Sequence, residues 1–157
     1  MDAKPMKAGV LFTASSGGHL EQLLSLRSLI EEFDGVVVTE KTPYALDLRT
    51  RTEFLPQVNR HEAAFLPRIA LNSLISIKLV FKYRPRVIVS TGALATIPLS
   101  IIGKVFGAKI VYIESFAKID SPTLTGRVLY RFADRFYVQW PTMLEIFPDA
   151  RYIGGIY

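Results

Sequence analysis

The chain contains no cysteine among its 157 residues. That excludes a disulfide framework and any thiolate-ligated metal site, and it suits a reducing compartment. An apolar leader is also missing: Lys4 and Lys7 run directly into a short strand-like segment, with no small-residue cleavage site, so no signal peptide is expected. No internal repeat, low-complexity tract or linker divides the chain. No G-x-G-x-x-G follows the first apolar strand, and the basic residues are interleaved with aliphatics rather than stacking aromatics; both count against a dinucleotide or nucleic-acid site. What is present, 50% hydrophobic and 21% charged residues, fits one compact domain over residues 1–157. The formal net charge of +5 and pI near 9.6 imply anionic partners, and charge alone leaves nucleic acid, a membrane surface and phosphorylated ligands open.

Short β-branched runs alternate with helical segments. Strands are predicted over residues 8–14, 35–39, 87–90, 109–113 and 135–139, with weaker ones at 53–55 and 152–153. Runs such as Val36-Val37-Val38 and Val87-Ile88-Val89 have no polar face, as in a parallel sheet covered on both sides. The expected fold class is therefore α/β, a doubly wound, mostly parallel, Rossmann-like sheet. Residues 18–33 read as one helix, with Leu20, Leu23, Leu24, Leu26, Leu29, Ile30 and Phe33 spread over more than half its circumference and mostly buried.

Between the first strand and this helix lies Ser15-Ser16-Gly17-Gly18-His19. Ser15 or Ser16 is placed to cap the helix, and the amides of Gly17, Gly18 and His19 lie at its positive end, where an anion is favoured. The plain alternative is a tight capped turn. His19 adds an ionisable group able to act as a general base near neutral pH. A second small-residue turn, Ser90-Thr91-Gly92, falls on the same sheet edge in this topology. Glu114 ends the apolar run Ile110-Val111-Tyr112-Ile113 and is expected to face the same cleft, or else to cap a loop or pair with a base.

The segment 64–83 carries a stripe of Ala70, Leu74, Ile77 and Phe81, the face expected to pack on the sheet. Further apolar residues, including Ile69, Leu71, Ile75, Leu79 and Val80, extend around it among Arg68, Lys78 and Lys82. A helix apolar nearly all round and edged with cations suits a membrane interface, so Arg68, Leu71, Ile75, Lys78, Leu79 and Lys82 are the expected membrane-facing set. A transmembrane span is disfavoured by Pro67, Arg68, Asn72 and Lys78. Residues 94–106, with Leu99, Ile101, Ile102, Val105 and Phe106, are placed to extend the patch. The alternative is a buried helix or a protein contact.

The succession Ser-Ser-Gly-Gly-His-Leu-Glu-Gln-Leu, Ser-Thr-Gly, Ile-Glu-Ser, Ser-Pro-Thr-Leu-Thr-Gly-Arg-Val-Leu-Tyr with Ala-Asp, and Val-Gln-Trp-Pro resembles the membrane-associated accessory subunit of split glycosyltransferases. The likeness covers nearly the whole chain. Its eukaryotic member anchors the N-acetylglucosaminyltransferase acting on dolichol-pyrophosphate-GlcNAc; bacterial members work in capsular or exopolysaccharide assembly. More distantly the pattern is similar to the amino-terminal, acceptor half of the GT-B enzyme that adds GlcNAc to the lipid-linked peptidoglycan precursor. The eukaryotic subunit has an amino-terminal membrane helix where this sequence has only residues 1–7, so anchoring is expected from the basic apolar helix or the partner.

The resemblance implies an accessory subunit that recruits and activates a catalytic partner carrying the UDP-sugar-binding domain, at the cytoplasmic face of a membrane, with a lipid-linked acceptor, no nucleic acid and no cofactor or metal of its own. It carries acceptor-diphosphate contacts to Ser15, Ser16, Gly17, Gly18, Ser90, Thr91, Gly92 and Glu114. The tail 152–157 becomes a docking surface formed by Tyr152, Gly154, Gly155, Ile156 and Tyr157 with Trp140. Two other readings stay open: a catalytic half in which His19 deprotonates the acceptor, and an unrelated Rossmann-like nucleotide binder.

Overall fold

In the computed structural model, residues 9–42 and 50–157 are described. Lys4, Lys7 and the expected strand start at residue 8 lie outside them. Seven strands, β1 (Val10–Ala14), β2 (Val36–Glu40), β3 (Thr52–Leu55), β4 (Val87–Gly92), β5 (Lys109–Ile113), β6 (Arg135–Val138) and β7 (Arg151–Tyr152), form one sheet in the order β3-β2-β1-β4-β5-β6-β7. Every neighbouring pair is parallel. The doubly wound, Rossmann-like α/β architecture is thus the one the unpolarised strands call for: all five residues of β2 are buried, as a strand covered on both faces requires.

Helices α3 (Phe65–Tyr83) and α4 (Ile97–Val105) cover one face, where Leu79, Val80, Tyr83 and Leu99 pack on Leu11, Val36, Val38, Ile88 and Ile110. Toward the β6 edge that layer continues through α5 (Leu124–Leu129), with Leu129 against Tyr112, Phe136 and Val138. On the opposite face α1 (Gly18–Leu24) and α2 (Arg27–Glu32) pack Leu20, Leu23 and Ile30 on Phe12, Ala14 and Val37.

Two expectations are corrected. The single helix over 18–33 is broken at Ser25 and Leu26: Ser25 Oγ bonds back to the Glu21 carbonyl at 3.3 Å and Leu26 N reaches Leu23 O in a tighter turn. The break lets Ile30 reach the sheet as well as Leu20 and Leu23, and leaves Leu29 and Phe33 exposed. The second correction is the rotation of α3. Its sheet-facing side is Asn72, Ser76, Leu79, Val80 and Tyr83, while Ala70, Leu74, Ile77 and Phe81 face outward. Asn72 is buried because its Nδ2 donates to the Pro56 carbonyl at 3.1 Å. Residues 94–106 likewise divide into a short 3-10 turn, Leu94–Thr96, and α4.

Candidate functional site

The strand order reverses between β1 and β4, so the loops leaving these strands diverge and open a crevice at the carboxyl edge. The two glycine turns meet there. Ser15 N donates to Gly92 O at 2.7 Å, and Thr91 Oγ1 donates to His19 O at 2.8 Å. His19 Nδ1 lies 2.8 Å from Thr91 O. A carbonyl can only accept, so Nδ1 carries a proton and donates it to this bond. Gly92 has φ +99° and its absent Cβ would lie 3.2 Å from the His19 ring; both the conformation and the approach require glycine.

Neither serine caps α1. Gly17 is the N-cap, and both the N–H and the Oγ of Ser16 donate to Glu40 Oε2, at 3.2 and 3.1 Å. The Ser16 end of the turn therefore already holds a carboxylate, from the end of β2, while the amides of Gly17, Gly18 and His19, the expected anion site, are not bonded by it. Glu40 Oε1 also accepts from Val58 N at 2.9 Å, which pins the loop after β3. Gly17 and Gly18 remain exposed.

Beside these turns lies a cleft of about 470 Å³. Its walls are residues 57–62 and Glu40 on one side and Ala93, Leu94, Thr123, Leu124 and Thr125 on the other. His19 stands behind Gly92, next to this cleft rather than in its wall. Ser90 and Thr91 are fully buried; Ser90 Oγ is within 3.2 Å of Thr96 Oγ1 and accepts from Gly92 N.

Glu114 does not face the cleft. It is fully buried beneath Thr123, and its carboxylate accepts from Ser115 N at 2.8 Å, Thr123 N at 3.2 Å, Thr123 Oγ1 at 2.9 Å and Tyr112 Oη at 3.3 Å. A Cβ on Gly126 would come within 2.0 Å of Glu114 Oε2, so the helix approaches the acid as closely as glycine permits. Burial, and then the Glu114 charge, push the Tyr112 phenol well above its ordinary pKa. The acid holds Thr123 of the cleft wall, whose hydroxyl in turn accepts from Gly126 N. Its backbone carbonyl is gripped from two sides, by Gln22 Nε2 at 3.3 Å and Gln139 Nε2 at 2.9 Å.

Sequence reasoning gave no role to Glu40, Gln22, Arg60 and His61, and placed Gln139 only in a motif at the edge of the domain. Glu40 was findable, because it ends Val36-Val37-Val38 as Glu114 ends its own apolar run. Among the described residues no group of three or more His, Asp or Glu side chains is placed to hold a metal ion.

On α3, two of the expected membrane-facing residues are corrected: Leu79 is 5% exposed and Ile75 packs on the core, because both lie on the sheet side of the helix. Arg68, Leu71, Lys78 and Lys82 face outward or lie half-buried, joined by Leu66, Leu74, Ile77 and Phe81, and Phe81 stacks edge-on against Phe106 of the loop after α4 at 4.9 Å. Leu99, also expected in this patch, is fully buried, whereas Val105 and Phe106 are exposed. Arg68 is paired with Glu62 at 2.6 Å and Lys82 with Glu53 at 2.5 Å, leaving Lys78 without a carboxylate partner among the described residues. No helix among them is long and apolar enough to cross a membrane.

The tail folds back over the carboxyl edge. Ile156 N donates to Gln139 Oε1 at 3.1 Å, and the Tyr157 ring meets Phe116 at 5.1 Å, which in turn stacks on Trp140 at 5.0 Å. Tyr152, Ile153 and Tyr157 of the tail are exposed.

Residues 57–156 match the family model described as "Oligosaccharide biosynthesis protein Alg14 like". The chain is similar to the UDP-N-acetylglucosamine transferase subunit alg14 of Schizosaccharomyces pombe, at 30% identity over 96% of this chain and 84% of the relative. Its identity to the subunit of the same name from Yarrowia lipolytica is 29%, covering 88% and 76%, and to that from Homo sapiens 24%, covering 99% and 87%. Among solved structures it resembles Acinetobacter baumannii MurG, with a TM-score of 0.70 at 15% identity, and a UDP-N-acetylglucosamine 2-epimerase, with a TM-score of 0.69 at 11%. The chain spans 45% and 44% of those two chains, so what is shared is the fold.

Proposed function

Since the chain belongs to the Alg14-like family of oligosaccharide biosynthesis proteins, we propose that it is the acceptor-side, accessory subunit of a two-protein glycosyltransferase. A partner holds the UDP-sugar, and this chain presents a lipid-diphosphate-linked acceptor at the cytoplasmic face of a membrane. In the reaction the acceptor hydroxyl oxygen bonds to the anomeric carbon of the sugar, the bond from that carbon to the β-phosphate oxygen breaks, and UDP leaves. The relatives' name, a subunit of a UDP-N-acetylglucosamine transferase, supports this reading.

The observation that carries it is Glu40. Its carboxylate, bonded to Ser16 N–H and Oγ, disfavours any phosphate, donor or acceptor, at the serine end of the turn, which counts against the unrelated nucleotide binder and supports placing the lipid diphosphate in the cleft that Glu40 also lines. The outward strip of α3 supports membrane association by apolar contact more than by charge, since two of its three cations are internally paired. The Phe116, Trp140, Tyr152, Gly154, Gly155, Ile156 and Tyr157 surface is the docking site for the partner. The resemblance carries the reading to bacterial capsular or exopolysaccharide assembly as well as to dolichol-linked synthesis, and the acceptor lipid used separates the two.

A second reading, a catalytic half, is favoured by one observation: the bond from His19 Nδ1 to Thr91 O holds the imidazole next to the cleft and leaves Nε2 outside that bond. The test is transfer to a lipid-linked acceptor in membranes containing this chain, a nucleotide-sugar-binding partner, or both. Activity only from the pair is expected; full activity from either protein alone overturns the proposal.

A further inference from the structure

The β3–α3 loop carries two groups that the glycosyl-transfer reading leaves without a role, Arg60 and His61, both in the wall of the cleft. Both carboxylates in that wall are already engaged by protein donors. Glu40 accepts from Ser16 and Val58, and Glu62 accepts from Arg68 Nη1 at 2.6 Å and Asn59 Nδ2 at 3.3 Å. Arg60, by contrast, has no carboxylate partner among the described residues. Its Nε donates to His61 Nε2 at 3.2 Å, which leaves both Nη groups open and places the His61 proton on Nδ1, a further donor.

The loop is held although it is exposed. Asn59 Oδ1 accepts from His61 N at 3.1 Å, Arg68 Nη1 donates to Gln57 O at 3.2 Å, and Asn72 Nδ2 donates to Pro56 O. Such a frame lowers the ordering cost of engaging a ligand. A pair of Nη groups beside an imidazole N–H matches the oxygens of a diphosphate, which guanidinium binds through two parallel bonds. The loop also leads directly into α3, whose outward strip begins at Leu66, so a diphosphate on a membrane lipid would meet it first.

We infer that Arg60 and His61 are the diphosphate-binding pair of the cleft, and that the diphosphate is the one joining acceptor sugar to lipid. This rests on the acceptor-side reading above. A UDP-sugar presents the same chemistry, so the test uses three probes with the full chain: a short-chain isoprenyl-diphosphate-GlcNAc, UDP-GlcNAc and inorganic pyrophosphate, each titrated calorimetrically at two salt concentrations.

Arg60→Ala is expected to weaken the isoprenyl diphosphate about 10- to 100-fold, with Arg60→Lys recovering only part because it cannot bind two oxygens at once. His61→Ala should weaken it less, and the loss should shrink at high salt. Arg27→Ala, an exposed cation on α2 paired with Glu31, removes the same charge elsewhere and should change nothing. Unaltered affinity of a folded Arg60→Ala overturns this inference alone. An equal loss for UDP-GlcNAc transfers the pair to the donor and overturns the acceptor assignment, as does a loss confined to pyrophosphate. Absence of isoprenyl-diphosphate binding by the unsubstituted chain overturns the acceptor reading itself.

Discussion

His19 and Thr91, from the two glycine turns, exchange hydrogen bonds: Nδ1 of the histidine donates to the threonine carbonyl and the threonine hydroxyl donates to the histidine carbonyl, each at 2.8 Å. The imidazole is therefore a structural fastener whether or not it reacts. His19→Ala should cost about 1 kcal/mol in a denaturant melt and lower turnover of the reconstituted pair by less than about tenfold. General base catalysis is worth about 10²–10⁴, so a kcat loss of that size, with a change in the pH profile, would assign the base to this chain. Gly92→Ala should be costlier to stability than His19→Ala, since it adds a strained φ to a 3.2 Å approach.

Glu114→Gln should destabilise the fold by about 2–3 kcal/mol, because whichever way its amide turns, the NH2 group meets one of two backbone donors, Ser115 N–H or Thr123 N–H, in a buried site. Tyr112 gives this site an alkaline signature. Its folded pKa is raised, so its contribution to stability is whole below the ordinary value of 10.0 and is lost as pH climbs above it. An ultraviolet titration should find one tyrosine un-ionised until the chain unfolds.

Asp134 gives an acid signature at the opposite edge of the sheet. Burial alone would raise its carboxyl, but the Lys104 ammonium at 2.6 Å, the Ile110 N–H and the Lys109 ammonium hold it at about 2. A depressed folded pKa stabilises above the unfolded value of 3.8, and the gain disappears as pH falls toward 2. Asp134→Asn should therefore lose about 2 kcal/mol at neutral pH, with the gap to the unsubstituted chain closing between about pH 4 and 2 in acid-unfolding curves.

The rotation of α3 separates packing from membrane contact. Leu66 is 73% and Leu74 60% exposed, so Leu66→Ser with Leu74→Ser should leave the melting temperature nearly unchanged and reduce sedimentation with phospholipid vesicles by about tenfold. Leu79→Ser, at a buried position, should do the reverse, destabilising by about 3 kcal/mol. Vesicle binding untouched by the double substitution would remove the strip from any membrane role.

At the carboxyl edge, Tyr157→Ala removes a ring that meets Phe116, and Ile153→Asp places a charge on an exposed apolar residue of the same tail. They should abolish co-purification of the catalytic partner while leaving circular dichroism and vesicle binding intact.

The sheet was legible because its strands are buried on both faces, and a run such as Val36-Val37-Val38 admits no other placement. The two glycine turns were legible for the same reason, as fixed interruptions at strand ends. Helix α3 was not. Apolar residues surround it, so periodicity gave no preferred face, and the side the fold chose contains Asn72 and Ser76, which a hydrophobic rule sends to solvent. The identity of the anion in the first turn was also hidden: Ser16 and Glu40 are 24 residues apart, and local spacing does not report which distant side chain satisfies an amide. Glu114 was read as facing the cleft because a strand-end acid looks alike from sequence whether its oxygens point outward or, as here, beneath Thr123.

Gln22 sets the order in which this molecule can be completed. On the helix next to His19, its amide donates to Glu114 O and accepts from Phe116 N, contacts spanning 92 and 94 residues. Gln139 then closes on the same Glu114 carbonyl and receives Ile156 N. A chain emerging from the ribosome can thus form β1 and α1 early but completes these contacts only after residues 114–139 have followed, so the loop-closure cost of these long-range bonds is met late. The amide of one glutamine thereby makes the seating of α1 depend on residues more than ninety positions downstream of it.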